Sequence, residues 1–368
     1  CQVPAKKTTP DFILIIAMLS LLSIGLIMVY SASAIWATYK FDDTFFFAKR
    51  QLLFAGVGIV AMFVIMNIDY WNWRKWAKPI IIICFVLLLV VLIPGIGTVR
   101  NGSRSWIGIG AFSIQPSEFM KLAMIVFLSK FLSERQKYIT SLKNGLLPSL
   151  GLVFIAFALI MLQPDLGTGT VMIGTCIVMI FIAGARISHF AGLAMIGIVG
   201  FIGLVASAPY RMKRITSFLD PWQDPLGSGF QIIQSLYAIG PGGLFGLGLG
   251  QSRQKFFYLP EPQTDFIFAI LSEELGFIGG TLVIFLFALL LWRGIRIALG
   301  APDLFGTFLA VGIIVMIAIQ VMINIGVVTG LMPVTGITLP FLSYGGSSLT
   351  LMLMAVGVLL NISRYSNY

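Results

Sequence analysis

Long apolar runs, separated by short stretches rich in charge, Gly or Pro, organise this chain. About 20 apolar residues in a helix cross the hydrocarbon core of a bilayer. Ten runs fit that template: residues 12–30, 52–68, 79–93, 117–131, 146–161, 167–183, 190–206, 266–292, 305–328 and 347–362. The fourth is the least apolar, because Glu118 and Lys121 interrupt it. Gly and Pro inside such runs do not veto helices, since neighbouring helices can satisfy the freed backbone groups. The pattern predicts an all-α polytopic membrane protein with ten spans, read as a single transmembrane domain over 1–368.

Basic residues in short loops set the orientation. One side holds Lys6, Lys7, Arg74, Lys75, Lys78, Arg135, Lys137, Lys143, Arg186, Arg293, Arg296 and Arg364, twelve in all. The short loops of the other side hold Lys40, Lys49, Arg50, Arg100 and Arg104, which is five. Both termini are therefore expected on the cytoplasmic side. A long external segment, about 209–263, joins spans seven and eight. It carries Arg211, Lys213, Arg214, Arg253 and Lys255, and its centre reads AIGPGGLFGLGLGQ. Too broken for a straight span, that centre suits a helix lying in the interface or dipping back into the membrane. Loops of this length are commonly functional.

Composition agrees and narrows the chemistry. Hydrophobic residues make up 58% of the chain and charged ones 10%, against about 25% charged in soluble domains. The net charge of +10 fits the cytoplasmic loops and anionic lipid of a membrane protein. Nucleic acid is not an expected partner, because no basic run has the interleaved aromatics that stack on bases. The three cysteines form neither a disulfide framework nor a metal-spaced cluster. Cys1 in place of a Met marks the first few residues as a candidate processing remnant.

His189 is the single histidine and sits at a span end, so no His triad or His-based metal site is available. External acid–base chemistry must use carboxylates. Glu118 and Lys121, at i and i+3, share a helix face and read as a neutralising pair or as functional intramembrane charges. Asp165, in QPDLGTG, is placed to shape a turn or cap the next helix. Glu273 and Glu274 are adjacent, so only one is expected to face the bundle interior. Asp265 closes FFYLPEPQTD where the long loop meets the eighth span, and either Thr264 or Asp265 could cap that helix. Ser252 to Lys255 matches S-x-x-K, but the accompanying serine-enzyme elements are missing. Gly326 and Gly330 form a small-xxx-small pair on the ninth span, the type of face on which a partner helix docks.

Several blocks together resemble the SEDS family (shape, elongation, division and sporulation), the FtsW/RodA/SpoVE type. They are VYSAS, NGSRSWIGIGAFSIQPSEFMKL, QPDLGTG, GLGLGQS followed by LPEPQTDFIFAILSEELG, and ITLPFLSYGGSS, in order from the first span to the last. Within the family the chain looks closest to the sporulation member. The resemblance implies a ten-span fold and a peptidoglycan glycosyltransferase of the bacterial cell membrane, with its active site on the external face. Such an enzyme polymerises lipid II, a disaccharide-pentapeptide on undecaprenyl diphosphate, for spore cortex or septal wall. It implies as partners a single-span class B penicillin-binding transpeptidase and the division or sporulation machinery. It maps the functional aspartate onto Asp265, and further polar positions onto Arg104, Trp106, Glu118, Lys121, Asp165 and Ser343.

The residues make the same chemistry workable. Sugar transfer from a diphosphate-lipid needs a base for the acceptor hydroxyl and positive charge for the departing diphosphate. Asp265 suits the first task. Arg253, Lys255, Glu261 and Glu274 join the list of substrate-binding candidates, and a divalent cation (Mg or Mn) could share the second task. Two other readings compete: a flippase for lipid II, for which intramembrane Glu118, Lys121 and Glu274 would form a polar path, and a non-catalytic scaffold. No inverted repeat with paired broken helices supports the flippase.

Overall fold

A computed structural model describes residues 8–366, apart from 101–102, 109–112, 207–211, 213–215, 217, 228 and 257. The chain is a multi-pass membrane protein. Its helices are α1 (Phe12–Phe41), α2 (Phe46–Asn67), α3 (Trp71–Leu92), α4 (Pro116–Arg135), α5 (Leu147–Met161), α6 (Leu166–Ile182) and α7 (Ile187–Ala206). They continue with α8 (Phe230–Ile239), α9 (Ile267–Leu299), α10 (Leu304–Val328) and α11 (Gly346–Ser363). Among the described residues seven helices, with α5 counted from Leu142, are long and apolar enough to cross a bilayer. The apolar α6 and α7 are shorter over their described residues, and α4 carries Glu118 and Lys121. At ten residues, or about 15 Å, α8 is too short to cross. It buries Ile232, Ile233 and Ala238 against α9 and α10.

A hairpin departs from the all-α expectation. Strands β1 (Gly97–Arg100) and β2 (Ser103–Ile107) pair antiparallel between α3 and α4. Arg100 faces Ser103 across the two intervening residues, which in sequence are Asn-Gly, the strongest two-residue hairpin signal.

The burial pattern is that of a bundle in lipid. α11 is buried along almost its whole length, with Leu351, Met352, Val356 and Leu360 fully enclosed. The outer helices keep apolar faces open, as with Val60, Phe63 and Val64 on α2 and Ile82, Ile83 and Val86 on α3. Polar side chains act as joints. Asp11 caps α1 by accepting from the Leu14 amide at 3.0 Å and receives both Nε and Nη2 of Arg293 from α9. Asp303 caps α10 and accepts from the Tyr70 hydroxyl and the Trp71 indole. Asn361 accepts from the Tyr70 amide and donates to the Met66 carbonyl. The Thr8 amide donates to the Arg364 carbonyl at 2.7 Å, so this end of the bundle gathers the two ends of the described chain with the α2–α3 and α9–α10 connections.

α9 is broken at Gly276, where φ is 66° and ψ −162°. Residues 243–248 run into the break. The Leu247 and Gly248 amides donate to the Glu273 and Glu274 carbonyls, while the Phe277 and Ile278 amides donate to Gly243 and Leu244. This satisfies backbone groups that lipid could not. It also corrects the expectation for the two glutamates: both are buried, because the loop covers the face that a continuous helix would leave open. A Cβ on Gly276 would lie 2.3 Å from the Gly246 amide nitrogen. We expect Gly276→Ala to cost at least about 1–3 kcal/mol, read as a lower yield of monodisperse protein and a lower unfolding temperature.

Gly326 and Gly330 do not form an open face. α10 ends at Val328, Gly326 is packed on Met332, and Gly330, at φ 74°, lies against Ile232 and Leu236 of α8.

Candidate functional site

At the end of the bundle opposite the Thr8–Arg364 contact lies a cavity of about 940 Å³. Of the residues singled out from sequence, Trp106, Glu118, Lys121, Asp165, Glu261 and Asp265 all line it. Elements far apart in the chain thus converge: β2, the first two turns of α4, the α5–α6 turn, and the segment leading into α9. Lys40 at the end of α1 and Arg50 in α2 also face it, each packed over an aromatic ring, Lys40 on Trp36 and Arg50 on Phe46.

Asp265 sits just before α9 in the cavity wall. It does not cap the helix: Phe266 holds that position, with no side-chain cap bond, and the Thr264 hydroxyl donates to the Glu261 carbonyl instead. The Asp265 backbone is clamped from several directions. Asn324 Nδ2 donates both to the Asp265 carbonyl at 2.8 Å and to the Ile337 carbonyl at 2.7 Å. Ser343 Oγ donates to the Thr264 carbonyl at 2.7 Å and accepts from the Leu339 amide at 2.8 Å. The Tyr344 amide donates to the Gln263 carbonyl, and Gln51 holds the Ser343 carbonyl. The carboxylate itself has no hydrogen-bond partner among the described residues. Its residue surface is partly open to the cavity, yet protein surrounds it closely enough that burial, with a smaller contribution from the nearby Glu261 carboxylate, pushes its pKa up to about 7. A clamped backbone and an unbonded, easily protonated carboxylate are what a proton acceptor requires.

The Glu118–Lys121 spacing forms the ion pair it suggested, at 3.0 Å and almost fully buried. Lys121 also donates to Gln320 of α10 at 3.2 Å, and the second Glu118 oxygen has no partner among the described residues. Asp165 caps α6 through the Thr168 amide. It also accepts from Gln115 Nε2 at 2.8 Å and Ser117 Oγ at 2.9 Å, tying the α5–α6 turn to the start of α4.

Other candidates lie away from the cavity wall. Ser343 acts on the backbone before Asp265, and Arg104 stands on β2 opposite Val99. Lys255 and Glu274 form a buried ion pair at 3.0 Å that also takes in Ser31 of α1. Its neighbours Ser252 and Arg253 are bonded to Glu273, through a hydroxyl and a backbone amide. The arrangement pins the loop to α9, and the Arg253 side chain is exposed. Arg211, Lys213 and Arg214 fall outside the described residues. Sequence reading missed Asn324, Gln51, Lys40 and Arg50 as parts of the site. Asn324 is a polar residue inside an apolar run, which is a usable signal; Gln51 stands just before the second run beside Lys49 and Arg50, and for it and the two cations there was only their side of the membrane.

Comparison with known proteins supplies the remaining context. The cell cycle protein family FtsW/RodA/SpoVE matches residues 12–368. Stage V sporulation protein E of Bacillus subtilis (strain 168) is 80% identical over 363 residues, 99% of each chain. A probable peptidoglycan glycosyltransferase FtsW of Geobacter sp. (strain M18) is 47% identical over 96% of each. Among solved structures, a chain of a peptidoglycan synthase complex that coordinates polymerization and crosslinking superposes with a TM-score of 0.80 at 31% identity, covering 96% of this chain and 98% of that one. The rod shape determining protein RodA of Thermus thermophilus gives 0.72 at 29% identity over 98% of each. With a family match from α1 onward and relatives aligned over nearly their full length, this chain belongs to the FtsW/RodA/SpoVE family of cell cycle proteins.

Proposed function

We propose that this protein is a peptidoglycan glycosyltransferase that polymerises lipid II at the external membrane face, for spore cortex or septal wall. The observation that carries the reading is the Asp265 carboxylate, unbonded among the described residues, in the wall of a large cavity that Lys40 and Arg50 also face, in a member of this family. Asp265 accepts the proton of the acceptor sugar hydroxyl. The hydroxyl oxygen bonds to the anomeric carbon of the donor, whose bond to the diphosphate oxygen breaks, and the diphosphate leaves with the electron pair. Lys40 and Arg50 are the cations we assign to that leaving charge, while Glu118, Lys121, Asp165 and Trp106 shape the polar wall for the sugars. Where a divalent cation takes part, the diphosphate supplies most of its ligands, since Mg²⁺ is bound through one or two carboxylates plus substrate phosphates. Among the described residues no group of three or more His, Cys, Asp and Glu is arranged to hold a metal.

The same reading takes ten helices, α1–α7 and α9–α11, as spans. Both termini are then cytoplasmic, α8 lies at the external interface, and a single-span class B penicillin-binding transpeptidase serves as partner. The high identity to the sporulation relative supports use in the spore cortex, and the similarity to FtsW relatives supports use in the septal wall. Incubation of the purified protein, alone and with that partner, with fluorescent lipid II tests the proposal. Glycan chains are the expected product. Labelled lipid that becomes protected from an external quencher, or exposed to it, without chains would replace the proposal with transport.

A further inference from the structure

The bundle end opposite the main cavity holds a second cavity of about 360 Å³, lined by Arg135, Tyr138, Lys143, Asn144 and Pro148. α4 starts at the main cavity and reaches Arg135 after 20 residues, or about 30 Å, which matches the thickness of a hydrocarbon core. The two cavities therefore belong to opposite membrane faces. The second lies on the face where Arg74 pairs with Glu134 at 3.2 Å.

Its walls carry uncompensated positive charge. Arg135 and Lys143 are both exposed, and neither has an ion-pair partner among the described residues. Glu134, the acid next to Arg135, is taken by Arg74. The site is also preformed. A π-helical turn, Leu142–Leu146, presents Lys143, and Gly145 approaches the Tyr138 carbonyl so closely that a Cβ there would lie 2.2 Å from its oxygen. Beside the cations the surface turns apolar and stays open: Leu142, Leu147, Phe154 and Ile155 are 45–57% exposed, and the last three continue along α5 towards the membrane centre.

A paired cationic cavity at the interface, with an open apolar track leading into the bilayer, has the charge and layout of a lipid with an anionic head. Basic cavities between membrane helices are a recurrent form of such recognition. We propose that this cavity binds the phosphate of an anionic phospholipid, with Arg135 and Lys143 on the headgroup and the acyl chains along α5.

Thermal unfolding of the detergent-purified full chain tests this, titrated separately with phosphatidylglycerol, phosphatidylcholine and inorganic phosphate. Phosphatidylglycerol is expected to raise the unfolding midpoint and phosphatidylcholine to leave it unchanged. Arg135→Gln with Lys143→Gln should weaken the phosphatidylglycerol effect at least about tenfold in concentration, and should leave the midpoint in phosphatidylcholine alone. Lys143→Gln by itself, a change at an exposed side chain, serves the same comparison if the double variant does not fold. An equal response of variant and wild type would overturn the proposal. So would full stabilisation by inorganic phosphate, which would make the site one for a soluble anion. Because the readout is binding, its failure is independent of the reading of Asp265.

Discussion

Asp265→Asn should fold, reach the membrane and bind lipid II, yet lose polymerisation by at least about 10²-fold, the low end for removal of a general base. Asparagine keeps the shape of the side chain and leaves the clamp by Asn324 and Ser343 intact, because both act on backbone carbonyls. What it removes is the oxygen that takes the proton in the proposed mechanism. The pH profile carries a second expectation. With a pKa of about 7, the wild-type carboxylate is increasingly protonated below neutrality, so the rate should rise with pH through about 7 and then level off. Stability should run the other way. A carboxyl whose pKa is higher in the folded state than its ordinary 3.8 contributes stability that is full below the unfolded value and lost as pH rises through the folded one. The variant, lacking that loss, should be at least as stable as wild type at pH 8. Near-normal chain formation by well-folded Asp265→Asn would end the assignment and turn attention to Glu261 or Asp165.

The second large effect is on folding. Glu118 and Lys121 neutralise each other at 3.0 Å in a buried site, so truncating one strands the other. Breaking a buried pair from one side costs about 3–5 kcal/mol, whereas removing both charges costs far less. Glu118→Ala should therefore reduce the yield and unfolding temperature of purified protein more than Glu118→Ala combined with Lys121→Ala. Gln320, which also receives Lys121, softens the loss without supplying a charge. Equal behaviour of single and double variants would refute the mutual neutralisation. Polymerisation by the double variant, measured separately, reports whether the pair has a further role at the cavity wall that it lines.

Much of the architecture was readable because lipid imposes a simple rule on sequence. The apolar runs located the long helices, although α1 extends to Phe41 and α9 to Leu299, beyond the apolar windows that signalled them. The i,i+3 spacing of Glu118 and Lys121 and the Asp165 turn carry local information, and local information survives folding. Convergence does not have that property. Lys40 lies some 225 residues before Asp265 along the chain, and nothing near either residue records that they face one cavity. The burial of both Glu273 and Glu274 was hidden for a related reason: helical periodicity assumes a continuous helix, and Gly276 interrupts it. The hairpin had a legible signal in Asn101-Gly102, outweighed by the strength of the surrounding apolar pattern.

The interrupted α9 bears on how the protein is made. A continuous apolar helix can enter the bilayer alone, its amides and carbonyls already paired. The stretch around Gly276 cannot, because its partners lie in residues 243–248 and an unpaired peptide group in hydrocarbon costs several kcal/mol. Insertion of this segment and docking of the preceding glycine-rich loop must then be one coupled event rather than two. The nascent chain has to keep that loop within reach while the translocon releases the helix. A chain that fails to do so leaves unpaired backbone inside the membrane, at a cost of several kcal/mol per peptide group.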